Sequence, residues 1–339
     1  MKLGRHIKPD VIYNKQNISL EIEDFIDSIS FQDNLSGQAD NITVSLADRE
    51  KRWITKHWAP HKGDSLSIAM LLSRDWISDQ PTARNLGDFE IDEITMNGPP
   101  TKMSVKGISI PQNTALKEKK TKAWEKTNLK KIAEEMAKNS KLSLYFSVEE
   151  NPEYDRIDQD DQSDTAFLDK MCSDAGLSLK IANKKIIILD EAQLEKEDAV
   201  TTISRTDKDL KDYSGKDTLS VTYKSCQVKY TDTKKKKTIK YTFTPEKPPA
   251  TGRVLIVNEE VTSEAEAIKV AKKSLRNANK EAKTFSLRLA GFLFLYAGQC
   301  INLKEFGVFD GKYIITSMSG AVGNGSETSL ELRSCLEGY

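Results

Sequence analysis

Histidine is almost missing from this chain, with three in 339 residues, at His6, His57 and His61. A histidine-based nucleophile relay or a multi-histidine metal centre therefore has little to draw on. Cysteine is equally thin. Cys172, Cys226, Cys300 and Cys335 lie far apart, with no C-x-x-C pair. That spacing favours small buried thiols in a reduced protein over a disulfide framework. No apolar run approaches the roughly 20 residues of a membrane helix. The longest, from Ala290 to Ala297, is short and contains Gly291. The start, Met1-Lys2-Leu3-Gly4-Arg5-His6, has no apolar h-region, which predicts no secretory signal. There is no excess of either charge, because Lys plus Arg and Asp plus Glu both count 51. A dedicated nucleic-acid binder usually carries a basic excess, so specific nucleic-acid binding is not expected. Zero net charge leaves little repulsion between copies and so permits self-association.

Short alternating runs fill the first segment, to about residue 110. Ile18, Leu20 and Ile22 alternate with polar residues, as do Ile42, Val44 and Leu46. Leu66, Ile68 and Met70, then Phe89 and Ile91, then Met103 and Val105 repeat the pattern. A period of two predicts half-buried strands. Turn chemistry at 34–37, 61–64 and 97–100 separates them. The middle segment, 111–198, changes period. Leu129, Ile132, Ala133, Met136 and Ala137 share one helical face. Ser163 is placed to cap a second helix carrying Phe167, Leu168, Met171, Cys172 and Ala175, which Gly176 ends. Strand-like runs at 142–146, 177–179 and 186–189 complete a small α+β module. The third segment, 199–339, returns to strands at 219–223, 228–230, 239–243, 285–289, 301–303, 313–315 and 330–332. One helix interrupts it, opened by Ser263-Glu264-Ala265-Glu266, with Ile268, Ala271, Leu275 and Ala278 as its stripe. The expected fold is mainly β with an α+β insert.

Chemical motifs are weak. Gly307 to Tyr313 is one residue short of a phosphate loop and has Tyr where Ser or Thr would meet magnesium. A turn leading into a strand explains it better. Gly320, Gly323 and Gly325 suggest a flexible loop between strands, not a dinucleotide cradle. No G-x-S-x-G elbow exists. His57 and His61 are four apart, but Pro60 between them disfavours one helix, and no third ligand stands out. Asp158, Asp160, Gln162, Asp164 and Asp169 fall at calcium-loop positions, yet Ser163 sits where the turn needs Gly. Ser163 and Asp164 also suit a helix start. The runs Lys117 to Lys120 and Lys234 to Lys237 are best explained as solvated turns, the second as a hairpin tip. No catalytic, cofactor-binding or metal-ligating residue is assigned, and a non-enzymatic role is expected.

The order of the pieces carries more than any one of them. Ala39 to Asp48 precedes Trp53; Gly63-Asp64-Ser65-Leu66 and Leu86 to Ile94 follow, then Gly98-Pro99-Pro100. Gln162 to Leu168 runs into Asp174-Ala175-Gly176-Leu177. The helix ending Leu275 to Lys280 precedes Ala297 to Ile301 and Phe306 to Ile315, and Glu327 to Arg333 closes the pattern. Together these resemble the late-control-D or tail-hub family of contractile-tailed phages, R-type bacteriocins and related injection systems. Ser319-Gly320 and Ser326-Glu327 depart from the family, which often has a His and an aromatic residue there. The resemblance implies two tail-tube-like β-barrel or sandwich domains, at 1–110 and 199–339, flanking the small module. It implies a homotrimer that imitates a six-fold ring, with the hexameric tail tube on one face and the trimeric spike on the other. Further implied partners are other baseplate proteins, the tape measure protein among them, with no membrane. The implied location is the bacterial cytoplasm during assembly and the extracellular particle afterwards. Alternatives are a tail-associated cell-wall hydrolase or a peptidoglycan-binding module, since the α+β unit is similar to the LysM fold.

Overall fold

The computed structural model describes residues 6–339 except 49, 51, 54, 56–58, 75–79, 113, 233–236, 260, 262 and 324. The first segment forms β1 (Ile7–Tyr13), β2 (Gln16–Asn17), a short α1 (Ser19–Ile22), β3 (Ile26–Asn34), β4 (Asn41–Ala47), β5 (Ser65–Leu72), β6 (Thr82–Asn97) and β7 (Lys102–Ile108). Alternation decides which side chains go inside. Ile42, Val44 and Leu46 of β4 are buried, as are Leu66, Ile68, Met70 and Leu72 of β5. The Ile18–Ile22 run is a correction. It is a helical turn, and Leu20 is 85% exposed. Local polar bonds override the alternation there. Asn17 Oδ1 accepts from Ser19 N at 3.0 Å, and Ser19 Oγ accepts from Val11 N at 2.8 Å. Side chains that bond nearby backbone favour a turn over a strand.

The middle segment holds β8 (Lys119–Asn128), α2 (Leu129–Asn139), β9 (Ser143–Ser147), β10 (Glu153–Ser163), α3 (Asp164–Ala175), β11 (Leu177–Ala182), β12 (Lys185–Asp190) and α4 (Glu191–Leu194). It has its own core, in which Ile132, Met136, Phe167, Leu168, Met171, Ile186 and Ile188 meet. The caps fall as predicted. Ser163 Oγ accepts from Ala166 N at 3.2 Å, and Gly176 takes the left-handed conformation at φ 72°. Sequence reasoning missed one strand pair here. Lys119 and Lys120 begin β8, which pairs antiparallel with the acidic β10. Opposite charges on facing strands stabilise the pairing. They supply Lys119–Asp161 at 2.9 Å and Lys120–Asp164 at 2.6 Å. So the lysine run is a solvated turn at Lys117 and Glu118 and becomes strand from Lys119 on, and the acidic stretch before Asp164 is its partner strand.

The third segment contains β13 (Thr202–Ser204), β14 (Leu210–Asp217), β15 (Tyr223–Asp232), β16 (Lys237–Phe243), β17 (Arg253–Val257), α5 (Glu264–Asn279), β18 (Lys283–Ala290), β19 (Cys300–Lys304), β20 (Gly311–Gly323) and β21 (Gly325–Ser334). The strand expected at 219–223 is a 3-10 turn over Leu219–Val221, with Leu219 62% exposed. The strand lies earlier, in β14, whose polar residues show no alternation. Neighbour pairing with β18 holds it, not a buried face. Around α5, β15, β16 and β17 form a separate small sheet with its own core of Cys226, Val228, Phe243, Val261, Ala267, Ala271 and Leu275. The stripe of α5 is rotated from the expected one: Ala267, Ala271 and Leu275 are buried, and Arg276 and Asn279 join them.

The first and third segments share one 13-stranded sheet, in the order β14-β18-β21-β20-β3-β4-β7-β6-β5-β1-β2, with β13 and β19 branching from β20. The seam is β3 against β20, antiparallel from Ser317↔Asn34 to Val322↔Ile29. Gly320 is inside this seam, so the expected loop at 320–325 is largely strand, with β20 and β21 paired antiparallel as far as Gly323↔Gly325. A side chain at Gly320 would meet the Phe31 ring at 2.3 Å, so only glycine lets Phe31 lie across the seam. One core runs through both halves, from Val11 and Ile42 to Leu287 and Leu330.

Candidate assembly surfaces

The sequence candidates do not converge on a catalytic or metal site. His57 lies outside the described residues. His61 is exposed and 3.7 Å from Asp64. The calcium-loop positions are dispersed: Asp158 pairs with Arg156 at 3.1 Å, while Asp164 is buried against Lys120. Among the described residues no group of three or more His, Cys, Asp or Glu could hold a metal ion. Gly307 to Phe309 is a 3-10 turn ahead of β20, and Tyr313 is a buried core residue. Lys234 to residue 236 lie outside the described residues; Lys237 starts β16. Burial pushes the Cys172 thiol up to about 12 and the Cys226 thiol up to about 11. Cys300 and Cys335 place their sulfurs 3.8 Å apart, and both are free thiols.

What the fold does bring together are two buried ionic junctions that seat the middle module. In the first, Lys180 of β11 reaches into the sheet. Its ammonium pairs with Asp33, with Asp40 at 2.8 Å and with the Asn34 carbonyl at 2.9 Å. Arg84 Nη2 also reaches Asp33 at 3.4 Å, and its guanidinium sits 4.3 Å from the Tyr296 ring centroid. Burial pushes the Asp40 carboxyl up to about 6, and Lys180 only partly offsets that. The charged form of Asp40 is thus held at a cost. Beside it Asn183 Oδ1 accepts from Asp88 N at 3.0 Å, extending the contact to β6.

The second junction reverses the polarity. Glu191 and Glu195, at and just after α4, face bases from two other elements. Arg333 of β21 reaches Glu191 at 2.5 Å and also pairs with Glu195. Arg276 of α5 meets Glu195 at 2.6 Å, and Lys280 meets Glu191 at 2.9 Å. Ser178 donates to Glu191 at 2.6 Å, and Leu336 N donates to Glu195 at 2.8 Å. Burial would raise the Glu191 carboxyl, but Lys280 and Arg333 outweigh it and hold it down at about 2. Lys280 itself is lowered, first by burial, with the two nearby arginines adding to that against the pull of Glu191. Sequence reasoning missed these residues, because acids and bases this far apart in the chain carry no local pattern.

Among the described residues the outer surface offers an apolar recess. Tyr213, Phe285, Phe306 and Phe309, with Gly215 and Gly307, line a hollow of about 370 Å³. Tyr213 stacks on Phe285 at 6.1 Å and meets Phe306 edge-on at 5.1 Å. Gly215 keeps it open, since a side chain there would come within 2.9 Å of Phe285 and Phe309. The hollow lies beside β14, a terminal strand of the large sheet with a ladder partner on one side only.

This arrangement of one sheet built from both ends of the chain, with a small α+β module seated on it, is the fold of phage tail proteins. The 43 kDa tail protein of prophage MuSo2 from Shewanella oneidensis superposes with a TM-score of 0.73 at 11% identity, over 97% of this chain and 99% of that one. At the level of sequence, the chain is similar to the probable baseplate hub protein of Escherichia phage 186, 27% identical over 179 residues, which is 52% of this chain and 43% of the relative. It is also similar to the probable baseplate hub protein of Escherichia phage P2, 22% identical over 213 residues, 61% of this chain and 52% of the relative. The matched stretch thus spans about half the length of these curated relatives or less. No family model matches the chain.

Proposed function

We propose that this chain is the structural hub of a contractile phage tail or related particle, a homotrimer that adapts the hexameric tube to the trimeric spike. Similarity to two baseplate hub proteins carries the reading. The fold supports it physically. A homotrimer presents three copies of any one surface, whereas a hexameric tube repeats every sixth of a turn. Two strand-rich units per chain, 1–110 and 199–339, would supply six quasi-equivalent positions around the ring. The 111–198 module then sits outside that repeat, held by the two ionic junctions. Its role is to form and orient a surface for another baseplate protein. Tube, spike and tape measure proteins are the proposed partners, with assembly in the bacterial cytoplasm and residence in the particle's tail. The role is geometric and needs no catalytic group.

Size-exclusion chromatography with light scattering tests the trimer, and imaging of tails assembled with and without this chain tests the location. A trimer mass and tails that fail to join tube to spike without the chain are expected. A strict monomer absent from purified tails would overturn the proposal, as would peptidoglycan hydrolysis on a zymogram.

A further inference from the structure

Two of the four thiols stand apart and two stand together. Cys172 is buried in the core of the middle module and Cys226 in that of the small sheet around α5, each without a second thiol beside it. Cys300, at the start of β19, and Cys335, just past β21, hold their sulfurs 3.8 Å apart although 35 positions separate them in the chain. They share a small apolar cluster with Leu35 and Ile314, on which Leu194 and Ala297 pack. The cluster adjoins the Glu195 junction. Cys300 Sγ is 3.3 Å from the carbonyl oxygen of Leu194, the residue before Glu195. Cys335 N donates to the Lys312 carbonyl at 3.1 Å, and Lys312 Nζ donates to the Glu195 carbonyl at 2.8 Å. Arg333 and Leu336, on either side of Cys335, both donate to the Glu195 carboxylate. Cys300 is buried, whereas Cys335 is half-buried in the segment after the last strand. The hydrogen bond with Cys335 holds the Cys300 thiol below its ordinary range against the effect of burial, and Lys312 adds to this.

We infer that Cys300 and Cys335 form a redox site, which a low-molecular-mass disulfide converts to an intrachain bond stapling the end of the chain to β19. As the half-buried Cys335 attacks one sulfur of the small disulfide, its proton passes to the Cys300 thiolate across the hydrogen bond. The first small thiolate leaves and takes that proton. Cys300, again a thiolate, attacks the Cys335 sulfur of the mixed disulfide and expels a second small thiolate, which takes a proton from solvent. Two cysteine thiols are oxidised to one disulfide, and the small disulfide is reduced to two thiols. The sulfurs close from 3.8 Å to about 2.0 Å, a shift taken up by side-chain rotation and by the segment past β21. The bond closes a long loop of the unfolded chain and so stabilises the fold. It also ties Arg333 and Leu336, through Cys335, to the strand that meets Leu194, and so tightens the seat of the middle module. Its timing rests on the hub reading: the thiols persist while the particle is assembled in the reducing cytoplasm, and the bond forms once the particle has left it. The bond itself does not depend on that reading.

The test places chain purified under reductant in glutathione buffers of increasing oxidised fraction, followed by denaturation, alkylation and peptide mapping by mass spectrometry. At the reduced end all four cysteines should alkylate. At the oxidised end the peptides of Cys300 and Cys335 should be linked, while Cys172 and Cys226 should still alkylate. The bonded form should melt roughly 3–5 °C higher, and amide exchange at Glu191–Glu195 and Arg333–Leu336 should slow. Cys335→Ser should melt like the reduced wild type and gain nothing on oxidation. Cys300→Ser should stop at a glutathione adduct on Cys335. A pair that still alkylates fully in the oxidised buffers, or a bonded form that melts no higher, overturns the staple. Tails collected from culture medium under an alkylating agent test the timing, and linked peptides are expected there. Free thiols in those tails, with bond formation in the buffers, overturn the timing alone. A chain absent from the tails overturns the hub reading and leaves the bond standing.

Discussion

The two ionic junctions hold the same module to the same sheet, yet they work in opposite electrostatic regimes. Around Glu191 and Glu195, three bases from two elements meet two buried acids, and the Glu191 carboxyl falls to about 2. Around Lys180, one ammonium is shared by Asp33 and Asp40, Arg84 reaches Asp33 at 3.4 Å, and the Asp40 carboxyl rises to about 6. The difference lies in the number of countercharges, since burial penalises the charged carboxylate in both places. The Glu junction is a fully partnered rivet. At the Lys180 junction Asp40 shares its ammonium with Asp33, and a proton is its spare countercharge.

That contrast can be broken most sharply at Glu195. Glu195→Ala strands Arg276 in the interior and leaves Arg333 with Glu191 alone, and chemical denaturation should show a loss of about 3–5 kcal/mol. Next in size is a pH effect of opposite sign at the two junctions. Asp40 has a folded pKa of about 6 against an ordinary 3.8, so the folded chain holds the extra proton in that window. Its contribution to stability is therefore greatest at low pH and is lost as pH rises towards 6. Glu191 has a folded pKa of about 2 against 4.5, so its contribution is present above 4.5 and lost as pH falls towards 2. Each amounts to about 3 kcal/mol at most. Urea titrations across pH should show the Asp40 slope vanish in Asp40→Asn and the Glu191 slope vanish in Glu191→Gln. Lys180→Met should cost about 2 kcal/mol at neutral pH and less at pH 5, where Asp40 can protonate. The Glu195→Ala loss should not shrink in that way. The smallest expected effect calibrates the module away from either junction. Ser163→Ala removes the α3 cap and should cost about 1 kcal/mol in the same titrations.

Much of the architecture was legible wherever local chemistry repeats. The α2 stripe, the Ser163 cap and the Gly176 stop are all local signals, and each falls where it was read. Alternation located β4, β5 and β7 for the same reason. It misled at Ile18–Ile22, where Asn17 and Ser19 capture backbone groups, and at 219–223, where a turn replaces a strand. It was silent on β14, because a strand held by its ladder partner needs no apolar face. The β8–β10 pair was hidden by its charges, which give no apolar alternation. Of the assembly surfaces, little could be read in advance. Tyr213, Phe285, Phe306 and Phe309 come from separate stretches of chain, and only the fold makes them one hollow.

By itself the sequence determined the mainly β character, the α+β insert and the helix ends, because side-chain period and capping act over a few residues. It also carried the tail-hub likeness, through the order of its motifs. Only the tertiary structure decided that β3 and β20 fuse the first and third segments into one sheet, with Gly320 beneath Phe31. The tertiary structure likewise decided which of 51 acids and 51 bases meet in the interior. Strand pairing and buried ion pairs join residues hundreds of positions apart, and their energies depend on burial and partner count, which no local pattern records.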